Sequence, residues 1–243
     1  MTDSRSPVIE LDQVQFSWNQ GAVVLDISEF RIHRGEKVFI RGPSGSGKTT
    51  LLGLLGGVLV TERGSVNVLG TDFCRLSPAQ RDHFRANHIG FIFQMFNLIP
   101  YLSVVDNVTL PLGFAQQRQQ QVELTGRRSQ EEALRLLSHL ELNDPEQLQR
   151  NVTELSIGQQ QRVAAARAMI GRPELVIADE PTSALDTDTR EAFIKLLFEE
   201  CEAAGNTLIF VSHDPALERL FDRTIALNEI NRASPHYKQG GQK

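Results

Sequence analysis

The fold is decided by residues 38–55, which read VFIRGPSGSGKTTLLGLL. Three apolar residues at 38–40 predict a short buried strand, and the leucines at 51, 52, 54 and 55 predict a helix. A glycine-rich turn, residues 42–47, joins the two. The order of strand, turn and helix predicts an α/β domain.

This turn carries the full pattern of a phosphate-binding loop, and it lies between an apolar strand and a helix, as that loop must. Glycines let main-chain N–H groups approach phosphate oxygens, and the helix N-terminus adds positive potential. Lys48 is expected to reach the β- and γ-phosphates of a nucleotide, and the Thr49 hydroxyl to ligate the magnesium ion that bridges them. A glycine-rich structural turn is the alternative interpretation. The predicted nucleotide-binding residues are Gly42, Pro43, Ser44, Gly45, Ser46, Gly47, Lys48, Thr49 and Thr50.

A second apolar run, residues 175–178, is followed directly by Asp179 and Glu180. It predicts a buried strand that delivers two carboxylates at its carboxyl end, where open α/β sheets bind ligands. Asp179 is expected to contact the magnesium ion, directly or through water, and Glu180 to activate the attacking water as general base. An ordinary acidic turn is the alternative for an isolated acidic pair.

Other stretches complete the α/β prediction. Apolar runs at 89–93 and 208–211 predict further strands of a largely parallel sheet, and the alternation over residues 14–18 predicts an antiparallel sheet near the N-terminus. Residues 94–156 are more polar and helical in spacing, which predicts a mainly helical lobe. Within it, the glutamine-rich run at 116–121 is interpreted as a solvated loop or helix surface.

Composition limits the function classes. At 243 residues the chain is long enough for one large domain, and its net charge of −5 argues against broad attraction to nucleic acid or anionic lipid. Cys74 and Cys201 are too far apart for metal-ligand spacing, which fits a reducing cytoplasm. The N-terminus lacks signal-peptide features, and no run approaches the roughly 20 apolar residues of a membrane span. The chain is therefore not expected to form a membrane channel by itself.

Residues 155–162, LSIGQQQR, lie between the phosphate loop and the acidic pair. Together, the three motifs resemble those of the nucleotide-binding subunits of ABC transporters, and the resemblance covers nearly the whole chain. It implies a RecA-like P-loop NTPase core with an antiparallel β subdomain and an inserted helical subdomain. Residues 1–230 would form the ATPase domain, with the helical insertion at about 96–165, and residues 231–243 a flexible tail. ATP and Mg²⁺ are the implied ligands.

The resemblance also implies roles for residues that would be unremarkable on their own. Gln94 is the expected Q-loop residue, which contacts ATP and magnesium, and His213 is the expected switch histidine at the γ-phosphate. Asp186 belongs to the expected D-loop and is assigned to the ATP site. Trp18 is the expected aromatic that stacks on adenine, with Phe16 as the competing choice. A structural histidine and core aromatics are the alternatives.

In this family the signature segment faces the nucleotide of the opposing subunit, so a second copy of the chain is implied. Ser156, Gly158 and Gln159 would bind that γ-phosphate from the start of a helix. The usual motif is LSGGQ, and Ile157 replaces its first glycine. We expect the phosphate contacts to survive, with the β-branched residue restricting the turn or slowing closure. An inactive site is the alternative.

Residues 91–100, FIFQMFNLIP, and 103–111, SVVDNVTLP, resemble the lipoprotein-releasing, macrolide-exporter and cell-division branch of the family. This implies a few-span permease with a large extracytoplasmic domain. The chain would sit on the cytoplasmic face of the membrane and contact it only through that permease. Packing within the helical lobe is the alternative for the candidate docking residues, which are Met95, Phe96, Leu98, Ile99 and Tyr101.

Two other function classes share part of this pattern. Soluble ABC ATPases act in DNA repair or translation, but they usually carry long coiled coils or two ATPase units, whereas this chain has one phosphate loop, one signature and no sustained heptads. Small-molecule kinases share the phosphate loop but give no reason for LSIGQ or for His213. No nucleic-acid partner is expected.

Overall fold

The computed structural model describes residues 7–19, 21–183, 185 and 187–234. The chain divides into two compact units, one formed by Met1–Asp82 with Ile209–Lys243 and the other by His83–Leu208. The strands in chain order are β1 (Pro7–Ser17), β2 (Val23–His33), β3 (Lys37–Arg41), β4 (Arg63–Val68), β5 (Thr71–Asp72), β6 (Ile89–Ile92), β7 (Leu175–Asp179), β8 (Thr207–Val211) and β9 (Arg223–Ala226).

Helices lie between these strands. The α-helices in chain order are α1 (Lys48–Leu55), α2 (Pro78–His88), α3 (Val104–Thr109), α4 (Gln116–Leu124), α5 (Ser129–His139), α6 (Pro145–Gln149), α7 (Ile157–Met169), α8 (Thr187–Ala204) and α9 (Leu227–Ile230). Short 3-10 turns occur at Phe73–Arg75, Leu110–Gly113, Val152–Glu154 and Pro215–Leu220. Over the ranges that the structure describes, no helix is both long enough and apolar enough to cross a bilayer.

The first unit contains an antiparallel sheet of order β2-β1-β4-β5. Its β1 and β2 pair over their whole length, with Leu11 opposite Phe30 and Val14 opposite Ile27. These four side chains are buried, which confirms the antiparallel sheet predicted from the alternation. The same unit holds the parallel pair of β3 and β9, in the order β8-β3-β9.

The second unit contains β6 and β7, paired in parallel, in the order β6-β7-β8. Strand β8 starts in this unit, where the Thr207 N–H donates to the Glu174 carbonyl at 2.9 Å, and it ends in the first unit, where the Ser212 N–H donates to the Ile40 carbonyl at 3.2 Å. Helices α3, α5 and α7 pack on one another, and α7 also packs on β6. The apolar runs predicted as parallel strands are thus strands in the structure.

The glutamine-rich run, which the sequence predicts to be a solvated surface, contains one residue that corrects this interpretation. The run forms α4, and its Arg118 is buried. The Arg118 guanidinium donates to the carbonyls of Ala168 at 2.7 Å and Ile170 at 2.8 Å, at the end of α7. Burial lowers the pKa of Arg118 to about 10. A positive charge at this position stabilises the carbonyl end of the helix.

The structure also differs from expectation at the start of the tail. The sequence predicts fraying over residues 231–243, but Asn231 is 1% exposed and forms an isolated antiparallel bridge with Ile27 of β2. Its side-chain amide explains the burial, because it hydrogen-bonds to main-chain groups of β2. The tail prediction for residues 235–243 lies outside the described residues.

Candidate nucleotide-binding site

The phosphate loop joins β3 to α1 in the conformation that its glycines predict. Gly45 and Gly47 have left-handed φ angles of 77° and 97°, and Gly47 is the N-cap of α1. A Cβ at Gly47 would lie 2.8 Å from Leu25 Cδ2, so the left-handed turn and the close approach both require glycine. Among the described residues, no side chain caps the N-terminus of α1. Its N–H groups are therefore available to an anion.

Lys48 and Ser46 add polar groups to this loop. The Lys48 ammonium donates to the carbonyls of Gly42 at 2.6 Å and Pro43 at 3.1 Å, which holds it across the loop. The Ser46 hydroxyl is buried and has no hydrogen-bond partner in the part of the chain that the structure describes. The uncapped helix, the glycines of the loop and the lysine fit a nucleotide phosphate. Thr49 is exposed beside them and Thr50 is buried.

His213 lies on the same cavity as the start of the phosphate loop. It follows β8 by two residues, which is the strand placement on which its assignment depends. The cavity has a volume of about 430 Å³, and its lining includes His213, Gly42 and Pro43. An ion pair of 3.1 Å between Arg41 and Glu218 also borders it. The structure thus brings the predicted switch histidine and the phosphate loop together.

The two candidate aromatics differ in exposure. Phe16 is buried in the core, whereas Trp18 is 51% exposed. The two rings meet edge to face, with centroids 5.1 Å apart and planes at 87°. Because only Trp18 of the two has an exposed ring, it is the better placed to stack on a base.

The acidic pair follows a fully buried run in β7. Leu175 and Ala178 are both buried, and Asp179 is the last residue of the strand. Glu180 has a φ of 47°, in the left-handed region that a non-glycine residue adopts at a cost of about 1–3 kcal/mol. Its carbonyl accepts from the Ser183 N–H at 3.3 Å. Such strain concentrates at functional sites, which supports a chemical role for this carboxylate.

The loop after β6 contains Gln94 and is held from α7. Gln94 is exposed, and the next turn has Phe96 and Asn97 in left-handed conformations, with φ of 58° and 49°. Arg167 of α7 donates to the Asn97 carbonyl at 2.6 Å and to the Phe96 carbonyl. Burial lowers the pKa of Arg167. The motifs gave no role to this arginine, although a charged residue in the alanine-rich run at 163–169 signals a specific partner.

The same loop carries the candidate docking residues. Met95 is 81% exposed and Tyr101 is 79% exposed, whereas Phe96 is buried. Leu98 and Ile99 are intermediate. Phe96 therefore belongs to the packing of the lobe, which is the alternative interpretation, and it is not a docking residue.

The signature segment begins α7. Ser156 is its N-cap: the Ser156 hydroxyl accepts from the Gln159 N–H at 3.3 Å, and the Gln159 side-chain oxygen accepts from the Ser156 N–H at 2.8 Å. This reciprocal pair is a capping box. Ile157 is the first helical residue and is exposed. The position needs no glycine conformation, so the capped turn forms with isoleucine in it. A Cβ at Gly158 would make only an ordinary contact, 3.5 Å from Leu185 Cδ2.

Restoring the usual motif should therefore change little. We expect Ile157→Gly to alter the ATP hydrolysis rate by less than about twofold. It should also lower the free energy of unfolding by about 0.5 kcal/mol, because glycine disfavours the first helical turn. Steady-state turnover and chemical denaturation would measure the two effects, with Ile157→Ala as the control. A turnover increase of about tenfold in Ile157→Gly alone would show instead that the isoleucine slows closure.

The remaining assignments concern the metal ion and the D-loop. Asp186 lies outside the described residues. Among the residues that the structure does describe, no three histidine, cysteine, aspartate or glutamate side chains cluster as metal ligands would. The predicted magnesium ligands are Thr49, Gln94 and Asp179. Only Asp179 belongs to these four residue types, and phosphate oxygens of the nucleotide would complete the coordination of the ion.

A family model described as ABC transporter matches residues 25–183, a segment that runs from β2 through the acidic pair. The chain belongs to the ABC transporter family. It is an ATP-binding subunit of the ABC type, with the ABC ATPase fold, and ATP hydrolysis is its activity.

Named relatives and a solved structure agree with this ABC assignment. The lipoprotein-releasing system ATP-binding protein LolD of Bacteroides fragilis is 35% identical, covering 92% of this chain and 99% of that protein. The macrolide export ATP-binding/permease protein MacB of Syntrophobacter fumaroxidans is 37% identical over 91% of this chain but only 30% of that protein. The ATP-binding cassette MJ0796, solved as a dimer in a post-hydrolysis state with ADP and phosphate, is 34% identical, with a TM-score of 0.77 and coverage of 90% and 93%.

Proposed function

We propose that this ABC subunit pairs with a second copy around two ATP molecules and drives a separate few-span permease that exports cargo or handles lipoproteins. The likeness to LolD along nearly the whole of both chains carries the proposal, because that relative is named as the ATP-binding protein of a lipoprotein-releasing system. The chain would act at the cytoplasmic face of the membrane, through the permease alone.

Each ATP would be bound by residues of both copies. In one copy Lys48 and the phosphate loop hold the phosphates, and Trp18 stacks on the adenine. In the other copy Ser156 and the N-terminus of α7 face the γ-phosphate. The uncapped start of α1 supports the first part of this division, since it offers main-chain N–H groups to an anion. At α7 the N–H groups of Ser156 and Gln159 bond within the capping box, so the exposed Ser156 hydroxyl and the main chain at Ile157 and Gly158 would face the phosphate.

Hydrolysis would use Glu180 of the acidic pair and His213, which follows β8. Glu180 accepts a proton from the attacking water, and His213 contacts the γ-phosphate. A magnesium ion, with Thr49, Asp179 and Gln94 as its protein ligands, would neutralise charge on the phosphates.

We propose residues 1–230 as the ATPase domain, with a helical insertion at about 96–165. The buried Asn231 favours extending the packed part of that domain to Ser234.

The exposed loop after β6 suggests where the permease binds. Met95 and Tyr101 are large, apolar and exposed, and such anchors dominate binding at interfaces. Arg167 donates hydrogen bonds to two carbonyls of this loop and so restrains its main chain. The loop would therefore lose little conformational entropy when the permease binds. This loop is the proposed contact with a helix of the permease.

The proposal is tested by affinity purification of tagged protein carrying Glu180→Gln from gently solubilised membranes with ATP. Recovery of a few-span membrane protein with a large extracytoplasmic domain is the expected result. Recovery of only soluble proteins, DNA or ribosomes would contradict the transporter role and favour a soluble ABC ATPase.

The docking loop has its own prediction. We expect the double substitution Met95→Ser and Tyr101→Ser to lower permease recovery at least about tenfold, because exposed apolar anchors carry most interface energy. ATP hydrolysis by the isolated chain should be unchanged. Leu124→Ser is the matched control, since Leu124 is apolar and as exposed as Tyr101, at 79%, but lies at the end of α4. Equal permease recovery for the double variant and the control would show that the loop is not part of the interface.

A further inference from the structure

Asn231 connects the end of the described chain to the phosphate loop. It follows α9 and is 1% exposed. Its side-chain oxygen accepts from the N–H groups of Asp26 at 2.9 Å and Ala233 at 3.1 Å. Its side-chain nitrogen donates to the carbonyls of Val24 at 2.9 Å and Ser46 at 3.2 Å. One amide thus links β2, the residues after α9 and the phosphate loop.

The bond to the Ser46 carbonyl has a consequence for the loop. That carbonyl shares a peptide plane with the N–H of Gly47, and in a planar trans peptide the two groups point in opposite directions. Holding the Ser46 oxygen toward Asn231 therefore directs the Gly47 N–H away from Asn231. This N–H is one of the main-chain donors at the N-terminus of α1 to which an anion binds.

A restraint from outside the loop lowers the entropy cost of fixing this peptide for binding. Gly47 is left-handed with a φ of 97°, and the nearby Gly45 is also left-handed. Glycine has several accessible conformations, so a loop with glycines on either side of Ser46 loses much entropy when it is fixed for binding. The side chain of Ser46 does not supply the restraint, because its hydroxyl has no hydrogen-bond partner among the described residues.

The next residue, Arg232, contacts β2 without a hydrogen bond to the Asn231 side chain in the described part of the chain. The Arg232 N–H donates to the Asp26 carbonyl at 2.8 Å, and the Arg232 guanidinium pairs with the Asp26 carboxylate at 2.7 Å. The pair is partly exposed, with 38% and 23% of the two side chains accessible. Arg232 thus contacts the same strand as Asn231 but makes no contact with the phosphate loop among the hydrogen bonds of the described residues.

We propose that Asn231 is a positioning residue of the nucleotide site, which holds the Ser46–Gly47 peptide in the orientation that binds phosphate. The segment after α9 thereby sets the affinity of the chain for ATP. The inference rests on the proposed role of the phosphate loop. It adds a contribution from residues whose sequence predicts only a flexible tail.

Asn231→Asp tests the proposal, because the carboxylate keeps the acceptor for Asp26 and Ala233 but cannot donate to Val24 or Ser46. We expect the Kd for ATP to rise about 5- to 20-fold, in line with the loss of one or two buried hydrogen bonds. The value of kcat should stay within about twofold while KM rises. Asn231→Ser, which retains one donor, should give a smaller rise in Kd and keeps the test valid if Asn231→Asp folds poorly.

Two controls separate the outcomes. Arg232→Ala removes the exposed ion pair and should leave the Kd for ATP unchanged. Lys48→Ala tests the site itself: if it leaves ATP affinity unchanged, the proposed phosphate loop is wrong. If Lys48→Ala weakens ATP binding while both Asn231 variants lower only the Tm, equally with and without ATP, Asn231 is merely structural and this proposal is overturned.

Discussion

Glu180→Gln will hold ATP but hydrolyse it at least about 100-fold more slowly than the unsubstituted chain, as expected for removal of a general base. Glutamine keeps the size of the side chain but cannot accept a proton from water. The residue lies directly after β7 with a left-handed φ of 47°, and the substitution leaves that backbone requirement unchanged. The loss in turnover would therefore report on chemistry and not on folding.

Because ATP would persist in this variant, the two copies should stay together. We expect a dimer by light scattering with ATP at micromolar protein concentration and a monomer without it. Glu123→Gln is the control, since Glu123 is exposed and its carboxylate accepts from the Gln119 side chain of the same helix at 2.9 Å. Persistent monomer in the Glu180 variant with ATP would contradict the ATP-stabilised dimer. Turnover close to that of the unsubstituted chain would contradict the role of Glu180 as base.

Gly90→Ala will give the largest loss of stability, about 3 kcal/mol in the free energy of unfolding. Gly90 lies in the middle of β6, and an added Cβ would lie 2.1 Å from the carbonyl oxygen of Ala168 and 2.9 Å from its carbonyl carbon. These are main-chain atoms at the end of α7, so they cannot rotate away as a side chain would. Either β6 or the end of α7 would have to move, with loss of the packing between them.

The comparison variant is Gly113→Ala, because among the described residues outside its own stretch of chain no atom lies within 4 Å of the position that a methyl group would take, and its φ is not left-handed. We expect its free energy of unfolding to change by less than about 0.5 kcal/mol. Urea denaturation followed by circular dichroism would measure both variants. Equal stability of the two variants would mean that β6 and α7 adjust without cost.

The parts of the fold that follow from local patterns were predictable. The phosphate loop needed only its own glycines and flanking apolar runs, and β7 with its acidic pair needed only residues 175–180. The alternation of β1 identified an antiparallel sheet for the same reason. Each of these signals is contained in fewer than about 20 consecutive residues, which is the range over which hydrophobic periodicity is informative.

The features that sequence reasoning missed depend on partners far along the chain. Arg118 is buried because its acceptors are carbonyls near Ile170, 52 residues away. Asn231 is buried because its amide meets β2 and Ser46, which is 185 residues away. A polar residue gives no local sign that such acceptors exist, so local patterns predict that both residues are solvated.

Backbone conformation was the other gap in the site prediction. The pattern identified Glu180 as a candidate but could not predict its left-handed φ, because that conformation is uncommon for any residue other than glycine. The same holds for Phe96, whose left-handed turn buries the ring and corrects its assignment to the docking surface.

Helix α7 is hydrogen-bonded at both ends, by the capping box at Ser156 and by Arg118 at its carbonyl end. Its Arg167 donates to the loop after β6. With 13 residues the helix is about 20 Å long. If its start binds the γ-phosphate held by the second copy and its far end holds the docking loop, both contacts depend on the position of one helix. Release of phosphate and withdrawal from the permease would then be a single movement, which the Arg167 side chain transmits from α7 to the loop.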